Sequence, residues 1–386
     1  MKEIRTVILA AGKGTRMKSE IPKVLHLVCG KPLIHYVLDI AKAIGSLKTY
    51  VVLGHKSDQV KAVLPKDVIT VDQPRMLGTA DAVKCAENHL RAYRGDVLVL
   101  CGDTPLLDGA TVKKIVRKHK RANAVCTFLT AVVHDPKGYG RIIRADKGVA
   151  VAIREDKDAA GFEKDIEEIN VGVYCCRAKE LFQALKEIRM NKKKNEFYLT
   201  DIVEWFYEKG LRVETVETED PLEGLGINTR EDLATAEAVL RQRILKNFML
   251  QGVTIVDPQT THIDASAKIG NDTVIGPFTF IESNVRIGRH CRIGPFARIR
   301  SGTKIDDKVE IGNFTEISRS KVGSGTFMKH FSYLGDSLVG TNVNIGAGMV
   351  TANFDGRQKN QTKIGKSAFI GSGAVLVAPV KIGEKA

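Results

Sequence analysis

Apolar positions in the first 230 or so residues fall into short runs divided by polar stretches. Thr6–Leu9, Thr49–Leu53, Val97–Leu100 and Ala124–Val133 are compact runs that predict strands. Leu33–Ile44, Ala80–Arg94, Thr111–His119 and Lys179–Ile188 space their apolar residues as helices do. Alternating β and α patterns predict an α/β layer fold, a mainly parallel sheet with helices on both faces. In such sheets ligands bind beyond the carboxyl ends of the strands. Arg230–Leu250 is poor in Gly and Pro and predicts a connecting helix.

The second half obeys another period. Ile stands at 263, 269, 275, 281, 287, 293, 299, 305, 311 and 317. The series continues, with slips, through Val322, Met328, Leu334, Val339, Ile345, Ile364, Ile370, Leu376 and Ile382. A hexad fits neither a helix nor a simple strand. It predicts a parallel β-helix, each short strand giving one inward aliphatic residue to a stacked core. The five-residue steps to Val322 and Val339 predict local irregularities, and Thr351–Lys363 a protruding loop. The faces of such a rod favour self-association, so a homo-oligomer, most simply a threefold one, is expected. The predicted domains are 1–228, a linker helix over 229–250, and the β-helix over 251–386.

Composition changes the picture in two places. The 386 residues carry 59 Lys and Arg against 45 Asp and Glu, a net +14, which suits an anionic partner. No nucleic-acid module accompanies the charge, and Lys192–Lys194 reads as a solvated loop. The seven cysteines are irregularly spaced with no C-x-x-C, so neither a disulfide framework nor a zinc site is expected. No apolar run is long enough for a membrane span or a secretory signal, and a reduced, cytoplasmic protein is expected.

Candidate chemistry begins where the strand TVILA runs into AGKGTRMKSEIPK. Gly12 and Gly14 permit a tight path whose N–H groups can face phosphate oxygens. Arg16 and Lys23 add a bidentate and a point cation, and Pro22 stiffens the approach to Lys23. The loop is neither a Walker A sequence nor G-x-G-x-x-G. Asp103, at the end of LVLCGD, is placed to hold Mg²⁺ or to cap the next helix.

LAAGKGTRMKSEIPKVLH, DQPRMLGTADA, CGDTPL, DPKGYGRI, EIN and INTR occur in the order found in UDP-N-acetylglucosamine pyrophosphorylases. With the hexads behind them, the chain resembles the bacterial bifunctional N-acetylglucosamine-1-phosphate uridyltransferase/glucosamine-1-phosphate N-acetyltransferases over essentially its whole length. The resemblance implies a Rossmann-like nucleotidyltransferase domain followed by a left-handed β-helix. It implies uridylyl transfer from UTP to N-acetylglucosamine 1-phosphate and acetyl transfer from acetyl-CoA to glucosamine 1-phosphate. By position, Leu9, Ala10, Ala11, Gly12 and Gly14 resemble the backbone meeting the nucleotide, and Gln73, Gly78 and Thr79 the residues around the uracil. Arg16 and Lys23 match the catalytic cations, Asp103 and Asn228 the Mg²⁺ ligands, and Gly140, Glu155 and Asn170 the sugar-binding residues. Lys13 adds positive potential.

GPFARIRSG, NFTEIS, MKHFSYLGD, NVNIGAG, TANFDGRQK and FIGSGAVLVAPV resemble the acetyltransferase half. There His330 matches the general base, a role imidazole suits near neutral pH. Arg300, Tyr333, Asn344 and Lys359 match residues holding the sugar phosphate, and Ala347, Asn353, Phe354 and Ser372 residues near acetyl-CoA. Two departures stand out. Ser318 replaces a family Lys, with Arg319 and Lys321 as possible substitutes. The hexads also stop at VKIGEKA, inside what the family continues as further coils and a basic tail. Two other readings stay open: a nucleotidyltransferase for another sugar phosphate whose β-helix only oligomerises, and a non-catalytic scaffold. Nucleic-acid binding and membrane insertion are not expected.

Overall fold

The computed structural model describes residues 4–386. It falls into two units. The first holds residues 4–27 with 32–236, and the second 28–31 with 237–386.

In the first unit the strands are β1 (Ile4–Ala10), β4 (Lys48–Leu53), β5 (Ile69–Asp72), β6 (Asp96–Cys101), β7 (Cys126–Val132), β8 (Arg141–Arg144), β9 (Ala150–Arg154), β10 (Glu168–Arg177) and β11 (Val213–Glu217); the two-residue strands β2 (Leu27–Val28) and β3 (Lys31–Pro32) have one residue in each unit. The helices are α1 (Leu33–Ala43), α2 (Ser57–Lys61), α3 (Thr79–Cys85), α4 (Glu87–Leu90), α5 (Gly109–Ala122), α6 (Ala178–Glu187) and α7 (Asp201–Glu208). The sheet order is β11-β7-β10-β6-β1-β4-β5.

Successive strand residues feed opposite cores. Val7, Val52 and Val99 pack with Ala80, Val83, Leu181 and Phe206 of α3, α6 and α7. Ile8, Val51 and Leu98 pack with Ile34, Val37 and Ile115 of α1 and α5. Burial on both faces explains why these strands read as unbroken apolar runs.

The sheet is mainly parallel as expected, β1 pairing in parallel with β4 and β6, β4 with β5 and β7 with β11, while β10 runs antiparallel to its neighbours β6 and β7. From Arg141 to Arg177 three strands follow without a crossover helix, and a direct return can only pair antiparallel. The single helix expected over 80–94 is two, α3 and α4, parted at Ala86. β5, β8 to β11 and α7 had no counterpart in the sequence reading.

In the second unit, strands of two to four residues run from Thr254–Ile255 to Val380–Ile382 and form three seven-stranded parallel sheets. Each strand pairs with the one a full coil later, as Ile263 with Ile281 and Ile281 with Ile299. This is the left-handed hexapeptide-repeat β-helix. Its inward series is buried from Ile263 to Ile370, Ile275, Ile281, Ile299 and Ile317 being fully so, and Leu376 and Ile382 in the last strands are half-buried. Leu245 and Phe248, from the helix α8 (Arg230–Leu250), close one end of that core.

The two five-residue steps lie on successive coils at one corner. Arg319 and Asp336 take positive φ of 47° and 48° there, and their side chains pair. On the next coil the long loop leaves from the same corner. Its ends are shorter than expected: Thr351 and Lys363 belong to the strands Val350–Ala352 and Thr362–Ile364, and a bridge between Phe354 and Lys359 closes the projection.

Candidate active sites

A cavity of about 670 Å³ opens at the carboxyl ends of β1, β5 and β6. Leu9 to Thr15, Lys23, Gln73, Gly78, Thr79, Asp103 and Glu155 line it. The two glycines differ. At Gly12 a Cβ would meet nothing within 4 Å, so no neighbouring protein atom requires glycine there. Gly14 has φ 60°, and a Cβ on it would stand 2.8 Å from Lys23 Cβ. This close approach brings Lys23 against the glycine loop although eight residues separate it from Gly14 in sequence.

Lys23 sits in a one-turn 3₁₀ segment entered from Pro22. Its Nζ pairs closely with the Asp103 carboxylate and donates to Asn228 Oδ1 at 3.1 Å. Ile227 N donates to Asp103 O at 2.9 Å, which ties the two segments together. Asp232 then accepts from the N–H groups of Asn228 and Thr229, both at 2.8 Å. Both oxygen donors named for a metal therefore converge on one cationic position. One carboxylate and one amide oxygen are the sparse, hard donor set that magnesium accepts beside phosphates and water. The residues fit that ion.

The wall around Gln73 is preorganised. Gln73 is buried and its Nε2 donates to Gly78 O at 3.1 Å and Asp81 Oδ2 at 2.7 Å. Gly78 has φ 103°, and a Cβ there would lie 2.4 Å from Phe197 O. Thr79 Oγ1 accepts from Leu199 N at 3.0 Å. Segment 196–199 is thus held against 77–80, which brings Glu196 and Tyr198 into the lining.

Glu155 is held above the usual carboxylate range by burial, partly offset by the Thr200 hydroxyl donating at 2.9 Å. Burial, with Glu155 and Glu204 nearby, pushes Asp201 up to about 6. Tyr198 rises to about 12, mainly through burial. Cys101 rises to about 12 through burial and Asp103, so it is a protonated thiol and no nucleophile. Asn170 N donates to Gly140 O at 2.8 Å, joining two predicted sugar residues beside Glu155, although neither lines the cavity. Arg16 is exposed and lies off the lining.

Sequence reasoning also missed what anchors the loop. His26 is buried, and Arg230 Nη1 donates to its Nδ1 at 3.2 Å while Arg230 Nε reaches Met17 O at 3.3 Å. Burial and then Arg230 hold the imidazole pKa down. Both residues end motifs noted above, PKVLH and INTR, but nothing in the letters says that they meet.

The β-helix gathers its predicted residues at two corners flanking one sheet. Before the sheet, His330, Ala347 and Ser372 occupy successive coils. Phe331 O accepts from Gly348 N and Ala347 O from Gly373 N, both at 2.7 Å. Beyond it, Asp336 accepts two bonds from Arg319, both 2.7 Å, and a very close one from Asn353. Arg319 and then burial set opposing influences on Asp336, and the net effect holds its carboxyl low. Tyr333 lies between the corners, in register with Glu316, which pairs with Arg300 at 2.9 Å. Lys359 is held by its bridge to Phe354, and Asn344 stands on the preceding sheet. Ser318 is fully buried and accepts from Arg319 Nη1 at 2.8 Å, whereas Lys321 stands on the following sheet opposite Lys304.

A glycine-rich loop at strand ends, with a lysine, an aspartate and an asparagine converging behind it, and a hexapeptide rod define a nucleotidyltransferase joined to a hexapeptide transferase module. Residues 6–201 match the MobA-like NTP transferase domain, and 266–301 and 284–319 match the bacterial transferase hexapeptide repeats. The chain is 43% identical over 413 aligned positions to the bifunctional protein GlmU of Shouchella clausii, covering 98% of this chain and 91% of that protein. It is 44% identical over 412 positions to that of Pelotomaculum thermopropionicum, covering 98% and 90%. The chain belongs to the bifunctional GlmU family, and it is an enzyme that transfers a uridylyl group to a sugar 1-phosphate to give a UDP-sugar. A UDP-glucose pyrophosphorylase from Acinetobacter baumanii shares the fold, with TM-score 0.50 and 20% identity over 65% of this chain and 99% of its own. Among the described residues no helix is long and apolar enough to cross a membrane.

Proposed function

We propose that the sugar 1-phosphate is N-acetylglucosamine 1-phosphate and that residues 1–228 carry this reaction. The Lys23 ammonium set between Asp103 and Asn228 at the glycine loop carries the reading. A phosphate oxygen of the sugar attacks the α-phosphorus of UTP, the bond to the β-phosphate breaks, and pyrophosphate leaves with the electron pair. Lys23 swings from its carboxylate to the α-phosphate, and the Gly12–Gly14 backbone and Arg16 receive the β- and γ-phosphates. Gln73, Gly78 and Thr79 present a rigid edge to the uracil, and Gly140, Glu155 and Asn170 hold the sugar. Asp103 and Asn228 would hold magnesium, which when bound supplies neutralising charge at the phosphates. Positioning and charge provide most of the catalysis, as is general for phosphoryl chemistry.

Residues 251–386, reached through the linker 229–250, form the second catalytic domain in this reading. His330 takes a proton from the glucosamine amine as the nitrogen attacks the thioester carbonyl of acetyl-CoA; the C–N bond forms, the C–S bond breaks, and coenzyme A leaves as the thiolate and takes up the proton. Arg319, which bonds Ser318 and Asp336 beside Tyr333, supplies the cation that Ser318 lacks. Arg300, Tyr333, Asn344 and Lys359 hold the sugar phosphate, and Ala347, Asn353, Phe354 and Ser372 line the coenzyme path. Exposed Phe278, Phe296 and Phe314 stack at 4.9 and 5.1 Å along one corner, an apolar ridge suited to packing against another copy, which supports a homotrimer. The protein works in the cytoplasm in this reading.

Two coupled assays test it. Pyrophosphate release from UTP and magnesium should be fastest with N-acetylglucosamine 1-phosphate; a faster glucose or mannose phosphate overturns that assignment. Thiol release from acetyl-CoA with glucosamine 1-phosphate should vanish in His330→Ala. No thiol release from the parent would leave the β-helix as an oligomerisation module only.

A further inference from the structure

The three outward faces of the β-helix differ in charge. On one, Arg298 stands opposite Glu316, followed by Tyr333 and Val350. On another, Arg292 stands opposite Glu310, followed by Phe327 and Asn344. Those faces balance their charges or carry apolar groups.

The third face is cationic but for one leucine. Its outward rungs read Lys268, Arg286, Lys304, Lys321, Leu338, Lys363 and Lys381, each directly in register with the next. All seven are exposed. Lys304 leans toward Asp306 at 3.5 Å. Among the described residues the other five cations have no carboxylate within salt-bridge distance. Like charges directly opposite on neighbouring strands destabilise a sheet. At roughly 4.8 Å per rung the row runs about 30 Å.

A groove of about 740 Å³ follows the far end of this row. Lys321, Lys363, Lys366 and Lys381 line it together with two carboxylates, Asp306 and Glu384, so cations outnumber anions there. Its floor is stacked glycine backbone: a Cβ on Gly340 would come within 2.7 Å of Lys366 N, and one on Gly365 within 2.6 Å of Glu384 N.

We propose that this face binds a linear phosphate polymer laid along the lysine row. A single file of point charges beside a groove fits a line of charge rather than a plane of lipid headgroups. The row has no aromatic rung on which bases could stack, which argues against single-stranded nucleic acid. Lysine suits a sequence-blind, hydrated phosphate chain better than arginine's directional fork.

The test is titration of the full chain with inorganic polyphosphate of about fifty units at several salt concentrations, with UTP saturating the nucleotide site. The triple variant Lys321→Gln, Lys363→Gln, Lys381→Gln should bind at least tenfold more weakly at 0.15 M salt. Its log K against log salt slope should fall by about 2, at roughly 0.7 per lost contact. The variant Arg292→Gln, Arg298→Gln, Lys329→Gln removes the same charge from the other faces and should stay within twofold of the parent. Equal losses in both variants would reduce the effect to net charge and overturn the site. So would absence of binding by the parent, or tighter binding of oligothymidylate or of vesicles rich in phosphatidylglycerol. Should the triple variant not fold, Lys363→Gln alone, losing about 0.7 of slope, decides the question.

Discussion

The nucleotide cavity and the β-helix solve positioning in opposite ways. In the cavity, side chains from residues 23, 103 and 228 meet at one point, carried there by three separate segments of chain. In the rod, neighbours in space are one coil apart in sequence, and position follows from counting. The first arrangement concentrates function in a few unique contacts. The second spreads stability over many equivalent ones and leaves function to the corners, where the count slips. A damaging change should therefore abolish chemistry in the first region without unfolding it, and loosen the second in proportion to what it removes.

The largest effect should come from Lys23→Ala. Losing one preorganised cation at the reacting phosphates should lower kcat for pyrophosphate release roughly 100- to 1000-fold. Thermal melting should barely move, and a lost fold would break the comparison. In the rod, Ile299→Ala leaves a cavity in a fully buried stack and should cost about 2–5 kcal/mol in denaturant unfolding of the second unit, with uridylyl transfer unchanged. A concurrent loss of that activity would show the two regions to be coupled. Gly14→Ala forces a Cβ against Lys23 at positive φ and should cut kcat about tenfold through displacement of that lysine, costing roughly 1 kcal/mol of stability.

The smallest effect is a pH signature. Asp201 titrates near 6 in the folded chain, above its unfolded value. The folded state then binds the extra proton between about pH 4 and 6, so this group's contribution falls as pH rises through that window and stays lost above it. Asp201→Asn should raise stability at pH 8 by about 1 kcal/mol, discounted for its partial exposure. The gain should fade toward pH 4. A gain independent of pH would assign it to the amide's hydrogen bonds instead.

The β-helix was legible almost to the residue, because each inward position must be aliphatic at every coil and the period is written in the Ile series. The glycine loop and Asp103 were legible too, since phosphate chemistry restricts residue types over a short span. Much of the first domain's second half was not. β10 is set by pairing with β6 and β7, far back along the chain, and Gly172, with its φ of 81°, lies where its register shifts between Asn170 and Tyr174. Glu196 and Tyr198 reach the cavity only because Gly78 lets segment 196–199 lie against it.

Sequence by itself determined the two periodic regimes, the phosphate loop, the family and the departure at Ser318, since each is a local constraint on residue type. Tertiary structure alone decided that Lys23 lies between Asp103 and Asn228, that Arg230 fastens His26, and that six cations with one leucine form a single exposed row. Those facts depend on which distant residues become neighbours, and that is settled by packing and strand register rather than by any one stretch of chain.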